Sequence, residues 1–414
     1  MSTRAVVFWN TTSQLIGKLI GASTAFVVAF LLARRLGADG YGDFTKITTF
    51  VAPFFLVADF GLNAIFLQKK DSDLWWPHLL GLRLAAGFSL MFLALAILAL
   101  TPQGTTQGYT GFVRFGIILF TPAVLFQAII TTANAVFQKQ LRYDLATIAI
   151  AAGSAATLIL VLPQTAGVLS SLVAVVIGTA VTAIVSFVLA RRNSKTTGVA
   201  LTPGTLRHLF VPAIPLGATL LFNLVYFRAD SFIITFTRST GEVGIYGLAY
   251  KVFELPLVLP TFFMNAVYPL MIQDTGDRRQ TGLKKIFRSA SIYLFLVSCI
   301  LLLVTWLAAP LLSLIKSDFT SSVGALRVLS LGLPFFFLTS LTMWTLIALK
   351  KQWVLAAIYG ASMLLNILLN IWFIPLYGYM AAAWVTVGSE AVVLIVSGWV
   401  LIRQMRQIGH IRQI

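Results

Sequence analysis

The sequence predicts an all-α membrane protein of about twelve transmembrane helices, on the basis of its composition, its apolar runs and the charges of its loops. Of 414 residues, 58% are hydrophobic and only 10% are charged, and the mean hydropathy is +0.91. A soluble domain typically has about 25% charged residues. Charge-free runs such as Gly167–Ala190 and Ile292–Ile315 are long enough to cross a bilayer as helices. They are too long and too uniformly apolar for barrel strands, so the class is a helical membrane protein.

Twelve apolar runs define the predicted spans, numbered 1 to 12 in chain order. They cover residues 10–36, 43–68, 77–101, 112–137, 143–163, 167–190, 209–237, 244–272, 286–309, 322–349, 353–374 and 378–402. Each boundary has a turn or charge signal. The signals include the glycine-rich segment 37–42, residues 101–104, Pro163, the basic segment 191–207 and residues 375–378. The longest loop, 191–208, is too short for a soluble catalytic domain.

Basic residues in the loops predict the orientation, because Lys and Arg are enriched on the cytoplasmic side of membrane proteins. An even number of spans places both termini on one side. Eighteen basic residues belong to that side: Arg4, Lys69, Lys70, Lys139, Arg142, Arg191, Arg192, Lys195, Arg207, Arg278, Arg279, Lys284, Lys285, Lys350, Lys351, Arg403, Arg406 and Arg412. The other side has four: Arg34, Arg35, Arg238 and Lys316. We therefore expect both termini in the cytoplasm and the protein in a bacterial inner membrane.

A weak internal repeat at an offset of about 205–212 residues predicts two lobes. Segment 37–42 leads to Lys46, and segment 241–247 leads to Lys251 at the same spacing. Three further pairs occur in the same order: Arg83 with Arg288, Arg114 with Arg327, and Ile184-Val185-Ser186 with Ile395-Val396-Ser397. Six spans per half make the halves parallel. We predict an N-terminal lobe over 1–195, a cytoplasmic linker over 196–208 and a C-terminal lobe over 209–414, around a central cavity.

Ionisable residues inside the spans are the candidate functional residues, because a charge near the bilayer centre costs roughly 2.5–3.5 kcal/mol and faces a bundle interior or a watery cavity. The bases are Lys18, Lys46, Arg83, Arg114, Arg228, Lys251, Arg288 and Arg327, and the acids are Asp59, Asp230, Glu254 and Glu390. Arg83 and Arg288 lie near the cytoplasmic end, where a long side chain can snorkel. Lys251 has Glu254 three residues on, the spacing of an intrahelical ion pair.

Lys18 and Arg228 are the strongest candidates for a substrate site. Each lies two or more turns inside its span, and neither has an acid at i±3 or i±4. The excess of cations favours an anionic passenger such as a phosphate or pyrophosphate. The four acids are candidates for gating or for binding a coupling proton or sodium ion, although Asp59 has the alternative of pairing with an in-span base.

Other functional classes have little support in the sequence. The net charge of +17 is scattered between apolar runs, so we expect no nucleic-acid partner. The single cysteine, Cys299, lies in an apolar stretch, and the three histidines lie far apart, so no metal site and no cofactor is expected. Asn366 and Asn370 share one face of span 11, where they favour contacts between helices over sugar binding.

Three segments resemble the polysaccharide transporter branch of the multidrug/oligosaccharidyl-lipid/polysaccharide exporter (MOP) superfamily, which includes Wzx-type O-antigen flippases. They are residues 32–42 continuing to Ala58-Asp59-Phe60-Gly61-Leu62, Arg228-Ala229-Asp230 continuing to 243–251, and 366–378 with Ser389-Glu390. The resemblance implies a MATE-like fold and export of a polyprenyl-pyrophosphate-linked oligosaccharide, for example an O-antigen unit of lipopolysaccharide, by rocking of two lobes. It implies a cationic cavity lined by Lys18, Lys46, Arg228 and Lys251, and interactions with membrane lipids and other polysaccharide assembly proteins.

Two alternatives stay open. A cation-coupled multidrug exporter shares this architecture, but its cavity is expected to be dominated by acids. A membrane-embedded glycosyltransferase or ligase needs catalytic groups on a sizeable extramembrane loop, and the predicted outer loops are short. Unlike lipid II flippases, this chain has no clear thirteenth and fourteenth spans, which disfavours lipid II as the substrate.

Overall fold

The computed structural model describes residues 3–69, 72–105, 107–163, 167–194, 198–273 and 279–410, which form helices joined by short loops. Lys70, Lys195, Arg278 and Arg412 lie outside the described residues, as does the start of the predicted linker at 196–197. Spans 1 and 2 lie in the helical segment Thr3–Asp59, which is kinked at Gly37, and Leu62–Leu67 extends it. Spans 3, 5, 6, 7, 11 and 12 are the helices Ser72–Leu100, Tyr143–Val161, Val168–Asn193, Val211–Thr237, Gln352–Tyr377 and Tyr379–His410.

Four spans are interrupted in the middle, and they occupy equivalent places in the two halves. Span 2 is interrupted between Asp59 and Leu62 and span 4 between helices Gly111–Phe120 and Ala123–Lys139. Span 8 consists of Thr240–Glu254 and Val258–Gln273, and span 10 of Thr320–Ser330 and Leu333–Ala348. Span 9 is the helix Arg279–Ala308 with a 3₁₀ turn at Ala309–Leu314. The pairing of interrupted spans 2 with 8 and 4 with 10 agrees with the internal repeat.

The described helices account for twelve membrane spans. Ten helices are long and apolar enough to cross a bilayer, and the bent helix pair of span 10 adds an eleventh crossing. One of the ten, Trp9–Phe55, has 47 residues. At 1.5 Å per residue it is about 70 Å long, more than twice the hydrocarbon thickness of a bilayer. Gly37 interrupts it with a left-handed φ of 73°. This helix therefore crosses twice, and the prediction of twelve spans is confirmed.

Polar contacts in the first half show that its spans alternate in direction. The amide of Tyr143 donates to Asn10 (2.8 Å), which joins the starts of spans 1 and 5. At the opposite side, Arg35 donates to the carbonyl oxygens of Val161 and Leu162, both at 2.8 Å, and joins their ends. Lys139 Nζ donates to the carbonyl of Leu67 (2.9 Å), which joins the ends of spans 2 and 4. These contacts fix an up-and-down bundle.

The closest helix packing in this half is between spans 5 and 6. A Cβ at Gly178 would clash with the hydroxyl of Thr157 and the backbone of Gly153, and a Cβ at Gly153 would clash with Thr182 and the backbone of Gly178. Small residues let two membrane helices approach closely, so that van der Waals contacts and polar bonds hold them together. The hydroxyls of Thr157 and Thr182 donate to the carbonyls of Gly153 and Gly178, each one turn earlier in the same helix.

By internal packing, the chain divides into two compact units. Unit 1 comprises Met1–Val225 with Ser239–Gly244, and unit 2 comprises Tyr226–Arg238 with Ile245–Ile414. Within unit 2, Arg238 donates to the carbonyl of Pro375 (3.4 Å) and joins the ends of spans 7 and 11. The hydroxyl of Ser322 donates to the carbonyl of Ile245 (2.8 Å), which joins the starts of spans 8 and 10. The predicted lobe boundaries at 195 and 209 stay a prediction.

Candidate functional site

The interruption of span 8 creates the chemically richest site in unit 2. Helix Thr240–Glu254 ends at Glu254, and a turn that contains Pro256 separates it from Val258–Gln273. The turn is closed by backbone bonds from Leu257 to Glu254 (3.2 Å) and from Leu255 to Val252 (3.2 Å). Discontinuous helices are the usual places where transporters build binding sites, because the helix ends expose polar groups inside the membrane.

Three charged side chains meet at this helix end. Arg228 Nη2 lies 2.8 Å from Glu254 Oε1, and Lys251 Nζ lies 3.7 Å from Glu254 Oε2. The side chains of Arg228, Lys251 and Glu254 are 29%, 35% and 30% exposed. The cluster has two cations and one anion, so it carries a net charge of +1 and is open to a ligand. We call these three residues the cationic cluster.

Aromatic side chains support the guanidinium of Arg228. Its Cζ lies 5.6 Å from the ring centre of Tyr250, the arrangement of a cation–π contact. The hydroxyl of Tyr250 donates to the carbonyl of Phe227 (3.2 Å), which fixes the ring to span 7. Phe253 packs edge-on against Tyr250, with 5.8 Å between ring centres. These buried rings restrict the rotamers of Arg228, so the site is organised before any ligand arrives.

Two further acids of unit 2 are buried with neutral partners. Asp230 accepts hydrogen bonds from the hydroxyls of Tyr246 and Thr386, the latter at 3.4 Å. Glu390 accepts from Tyr226 at 3.0 Å. Both carboxyl groups are almost fully buried, at 3% and 2% exposure. No base contacts either one among the residues that the structure describes.

The hydrogen bonds of these acids join spans 7 and 12 at two places, Asp230 with Thr386 and Glu390 with Tyr226. Tyr226 and Asp230 lie one turn apart on span 7, and Glu390 and Thr386 lie one turn apart on span 12. Both acids were identifiable as ionisable residues inside spans, whereas Tyr226 and Tyr246 were missed. The spacing of four between Tyr226 and Asp230 was a usable signal, because such residues share one helix face.

In unit 1, Lys46 lies where the two glycine-rich repeat segments contact each other. Its side chain is completely buried, and its Nζ donates to the hydroxyl of Thr240 (2.6 Å). A Cβ at Gly42 would clash with the carbonyl of Thr240, and a Cβ at Gly244 would clash with that of Ala38. The two backbones are therefore nearly in contact. Lys46 is enclosed in this structure, and its predicted role in lining a cavity stays a prediction.

Asp59 and Arg83 form an ion pair at the interruption of span 2. Arg83 Nη2 lies 2.6 Å from Asp59 Oδ1; the arginine side chain is 0% exposed and the aspartate 32%. The alternative that Asp59 pairs with an in-span base is thus confirmed. The expectation that Arg83 snorkels to the cytoplasmic surface is wrong, because its side chain is enclosed and paired with the partly exposed carboxylate of Asp59. Arg288, its counterpart in the repeat, is exposed.

Phe60 and Gly61, directly after Asp59, have left-handed φ angles of 42° and 71°. A positive φ is strained for a phenylalanine. The Phe60 ring stacks on Phe210 at 5.4 Å and occupies the space that a side chain at Gly217 would need. Tertiary packing against the start of span 7 thus holds this conformation.

The remaining predicted substrate ligands are Lys18, Arg114 and Arg327. Lys18 is exposed on span 1, beside Gly17, where span 1 packs closely on Thr147 of span 5. Arg114 donates to the carbonyl of Thr101 (2.9 Å) and closes the loop between spans 3 and 4. Arg327 lies over the ring of Trp306, 5.6 Å from its centre. Arg114 and Arg327 thus have structural contacts, and their proposed role in substrate binding stays a prediction.

Comparison with known proteins gives both sequence and structural matches. A family model described as "Polysaccharide biosynthesis protein" matches residues 5–275, and a second model, MatE, matches residues 215–372. No curated protein sequence matches at a significant level.

Several solved structures share the fold over nearly all of the chain. The lipid II flippase MurJ in an inward closed conformation is 15% identical, with 97% of this chain and 90% of that chain covered and a TM-score of 0.78. A multidrug resistance MATE family transporter of the MOP superfamily, in an inward-facing conformation, is 14% identical, with coverages of 96% and 99% and a TM-score of 0.79. A MOP superfamily transporter from Pyrococcus furiosus is 13% identical, with coverages of 97% and 95% and a TM-score of 0.62.

Twelve spans and paired interrupted helices, together with these structural matches, show a multi-pass membrane protein with the fold of the MOP superfamily transporters. Within that class, the chain belongs to the polysaccharide biosynthesis protein family, whose model matches more than half of it.

Proposed function

We propose that this protein is a flippase that moves a polyprenyl-pyrophosphate-linked oligosaccharide, such as an O-antigen repeat unit, from the cytoplasmic to the periplasmic leaflet by alternating access. The cationic cluster at the interruption of span 8 is the observation that carries the proposal. It has a net positive charge, partial exposure and a position near the middle of the span, which runs from Thr240 to Gln273. A sugar headgroup with a pyrophosphate cannot cross the hydrocarbon core unaided, and the cluster offers it a charged, wet path.

Arg228 and Lys251 bind the pyrophosphate in this proposal. A guanidinium matches two phosphate oxygens with parallel N–H bonds, whereas an ammonium acts as a compact point charge. A role in substrate binding for Lys18, which is exposed on span 1, is a separate proposal. Lys46 is enclosed in the structure, so its contact with substrate requires that the Thr240 bond opens.

Asp230 and Glu390 are the proposed site for a coupling proton or sodium ion. A buried carboxylate without a base is costly in the membrane unless it is protonated or binds a cation. Asp59 and Glu254, the other two acidic candidates, are each paired with a base. Proton or sodium entry at Asp230 and Glu390 is therefore favoured over entry at Asp59 and Glu254.

We place the protein in the inner membrane with both termini in the cytoplasm, as the loop charges indicate. Other polysaccharide assembly proteins are the proposed partners, because they would supply the lipid-linked oligosaccharide at the cytoplasmic face and use it at the periplasmic face.

A depletion strain tests the direction and the substrate class. On loss of the protein, we expect lipid-linked oligosaccharide to accumulate in the cytoplasmic leaflet and surface polysaccharide to decrease. Re-expression of Arg228→Ala should restore less surface polysaccharide than re-expression of the wild type at equal protein level. Normal surface polysaccharide in the depleted strain would exclude the proposal.

A cation-coupled multidrug exporter is the second candidate, supported by the MatE match over residues 215–372 and by the buried acids Asp230 and Glu390. The two candidates differ in the charge of the passenger. If the depleted strain becomes sensitive to cationic drugs while its lipid-linked intermediates stay normal, the exporter is correct.

A further inference from the structure

The carboxylate of Glu254 bridges the two cations of the cationic cluster. One oxygen contacts Arg228 at 2.8 Å and the other lies 3.7 Å from Lys251. A phosphate that binds the same two bases would also direct different oxygens to each of them, since its geometry is similarly forked. The glutamate thus occupies the positions that an anionic ligand would take.

The location of Glu254 lets its side chain leave the cations without disturbing the fold. It is the last residue of its helix segment, directly before the turn at Pro256, and its side chain is 30% exposed. The turn is closed through its backbone carbonyl, which accepts from Leu257 at 3.2 Å. Partly exposed ion pairs are weak, because water competes for both partners.

We propose that Glu254 is a resident counter-anion of the substrate site, which neutralises Arg228 and Lys251 when the site is empty and which the anionic headgroup of the substrate displaces. This inference rests on the proposed function, because it takes the cationic cluster as the site of the headgroup. Glu254 determines how strongly the cations hold the headgroup, and it takes them back when the substrate leaves.

The charges of the cluster give the direction of the effect. With Glu254 ionised, the cluster has a charge of +1, and without it the charge is +2. A competing internal anion lowers the apparent affinity for an external one by the free energy of the internal pair. The free energy of an ion pair of this exposure corresponds to a change of about two- to fivefold in a binding constant. A positioning role, in which Glu254 orients Arg228 for the ligand, predicts the opposite sign.

Binding of inorganic pyrophosphate to the purified full-length protein in detergent tests the proposal by titration calorimetry. We expect Glu254→Gln to bind pyrophosphate about two- to fivefold more tightly than the wild type. Glu254→Ala serves as a second variant, and Arg228→Ala should lose most of the binding. The control is Glu242→Gln, which makes the same charge change twelve residues earlier on the same helix and should leave the affinity unchanged.

Each outcome discriminates. Tighter binding by both Glu254 variants, with unchanged Glu242→Gln, supports the counter-anion. Equal or weaker binding by the Glu254 variants, while Arg228→Ala still loses binding, overturns the role of Glu254 and leaves the proposed function intact. An equal gain in pyrophosphate affinity by Glu242→Gln would show that the effect comes from the net charge of the protein, and it would also overturn the role of Glu254. Absence of binding in every form contradicts the anion site, and the proposed function with it.

Discussion

Burial decides what each charged residue of this protein can do. Arg83 is completely enclosed and pairs with the carboxylate of Asp59, while Nε and Nη1 of its guanidinium have no hydrogen-bond partner among the residues that the structure describes. Arg228 pairs with a carboxylate at a similar distance but remains 29% exposed. An enclosed guanidinium contributes to stability only while its partner stays ionised, because an unpaired buried charge is very unfavourable. A partly exposed guanidinium such as that of Arg228 can exchange one anion for another.

The Asp59–Arg83 pair provides a stability test. Removing one partner of a buried pair costs about 3–5 kcal/mol. Asp59→Asn should therefore lower the Tm of the detergent-solubilised protein markedly. The double variant Asp59→Asn/Arg83→Met should recover most of that loss, because no buried charge remains. Asp144→Asn is the control, since its pair with Arg142 is exposed and such pairs contribute about 0–1 kcal/mol. A double variant no more stable than Asp59→Asn would contradict this account.

Glu390 should be needed for coupling but not for folding. Glu390→Gln keeps an oxygen that accepts from Tyr226 and removes a buried charge, so we expect an unchanged or higher Tm. Transport by this variant should lose its dependence on the proton or sodium gradient. The measurement is lipid-linked oligosaccharide flipping in proteoliposomes, with and without an imposed gradient. Gradient-dependent flipping by Glu390→Gln would rule out Glu390 as the coupling residue.

At the scale of helices, the same glycine substitution has opposite effects at different places. Gly178 lies where spans 5 and 6 nearly touch, whereas nothing lies within 4 Å of a Cβ built on Gly360 of span 11. A side chain at Gly178 would change the distance between two helices. A side chain at Gly360 would change only the conformational freedom of one helix.

Alanine substitutions at these two glycines test the packing. Gly178→Ala must push the backbone of Gly153 and the side chain of Thr157 away, and overpacking of this kind costs about 1–3 kcal/mol. Gly360→Ala should leave the Tm unchanged or raise it, since alanine favours a helix by about 1 kcal/mol over glycine. Thermal unfolding of both variants in one detergent gives the comparison. Similar Tm values would show that spans 5 and 6 are not held as closely as described.

At the scale of the whole molecule, contacts between helices do not determine the orientation in the membrane. The charges of the loops predict it. An even number of spans places both termini on one side, and the distribution of basic residues predicts that this side is the cytoplasm. Lys316 lies between spans 9 and 10, and Arg192 lies at the end of span 6, so they are expected on opposite sides.

Cysteine labelling tests this orientation. The native Cys299 is first replaced by alanine, and Lys316→Cys and Arg192→Cys are then introduced separately at these exposed positions. A membrane-impermeant maleimide added to intact spheroplasts should label the first variant and should label the second only after permeabilisation. Labelling of both from one side would overturn the predicted topology.

The sequence alone determined the class of protein, the twelve spans, the repeat and the proximity of Lys251 to Glu254. All of these depend on local patterns: the length of apolar runs, the charges of loops and the spacing of residues on one helix. The bends within spans were not predictable, because the left-handed Phe60, for example, is held by packing against Phe210 and Gly217.

Only the tertiary structure decided the partners of the charged residues. Arg228 has no acid three or four positions away on its own helix, and its partner Glu254 lies 26 positions away on the next span. Lys46 similarly bonds Thr240, 194 positions away. A contact between two helices depends on their distance, tilt and rotation, and the periodicity of either helix specifies none of these. The sequence therefore identified the ionisable residues, and the packing of the helices determined which of them form a site.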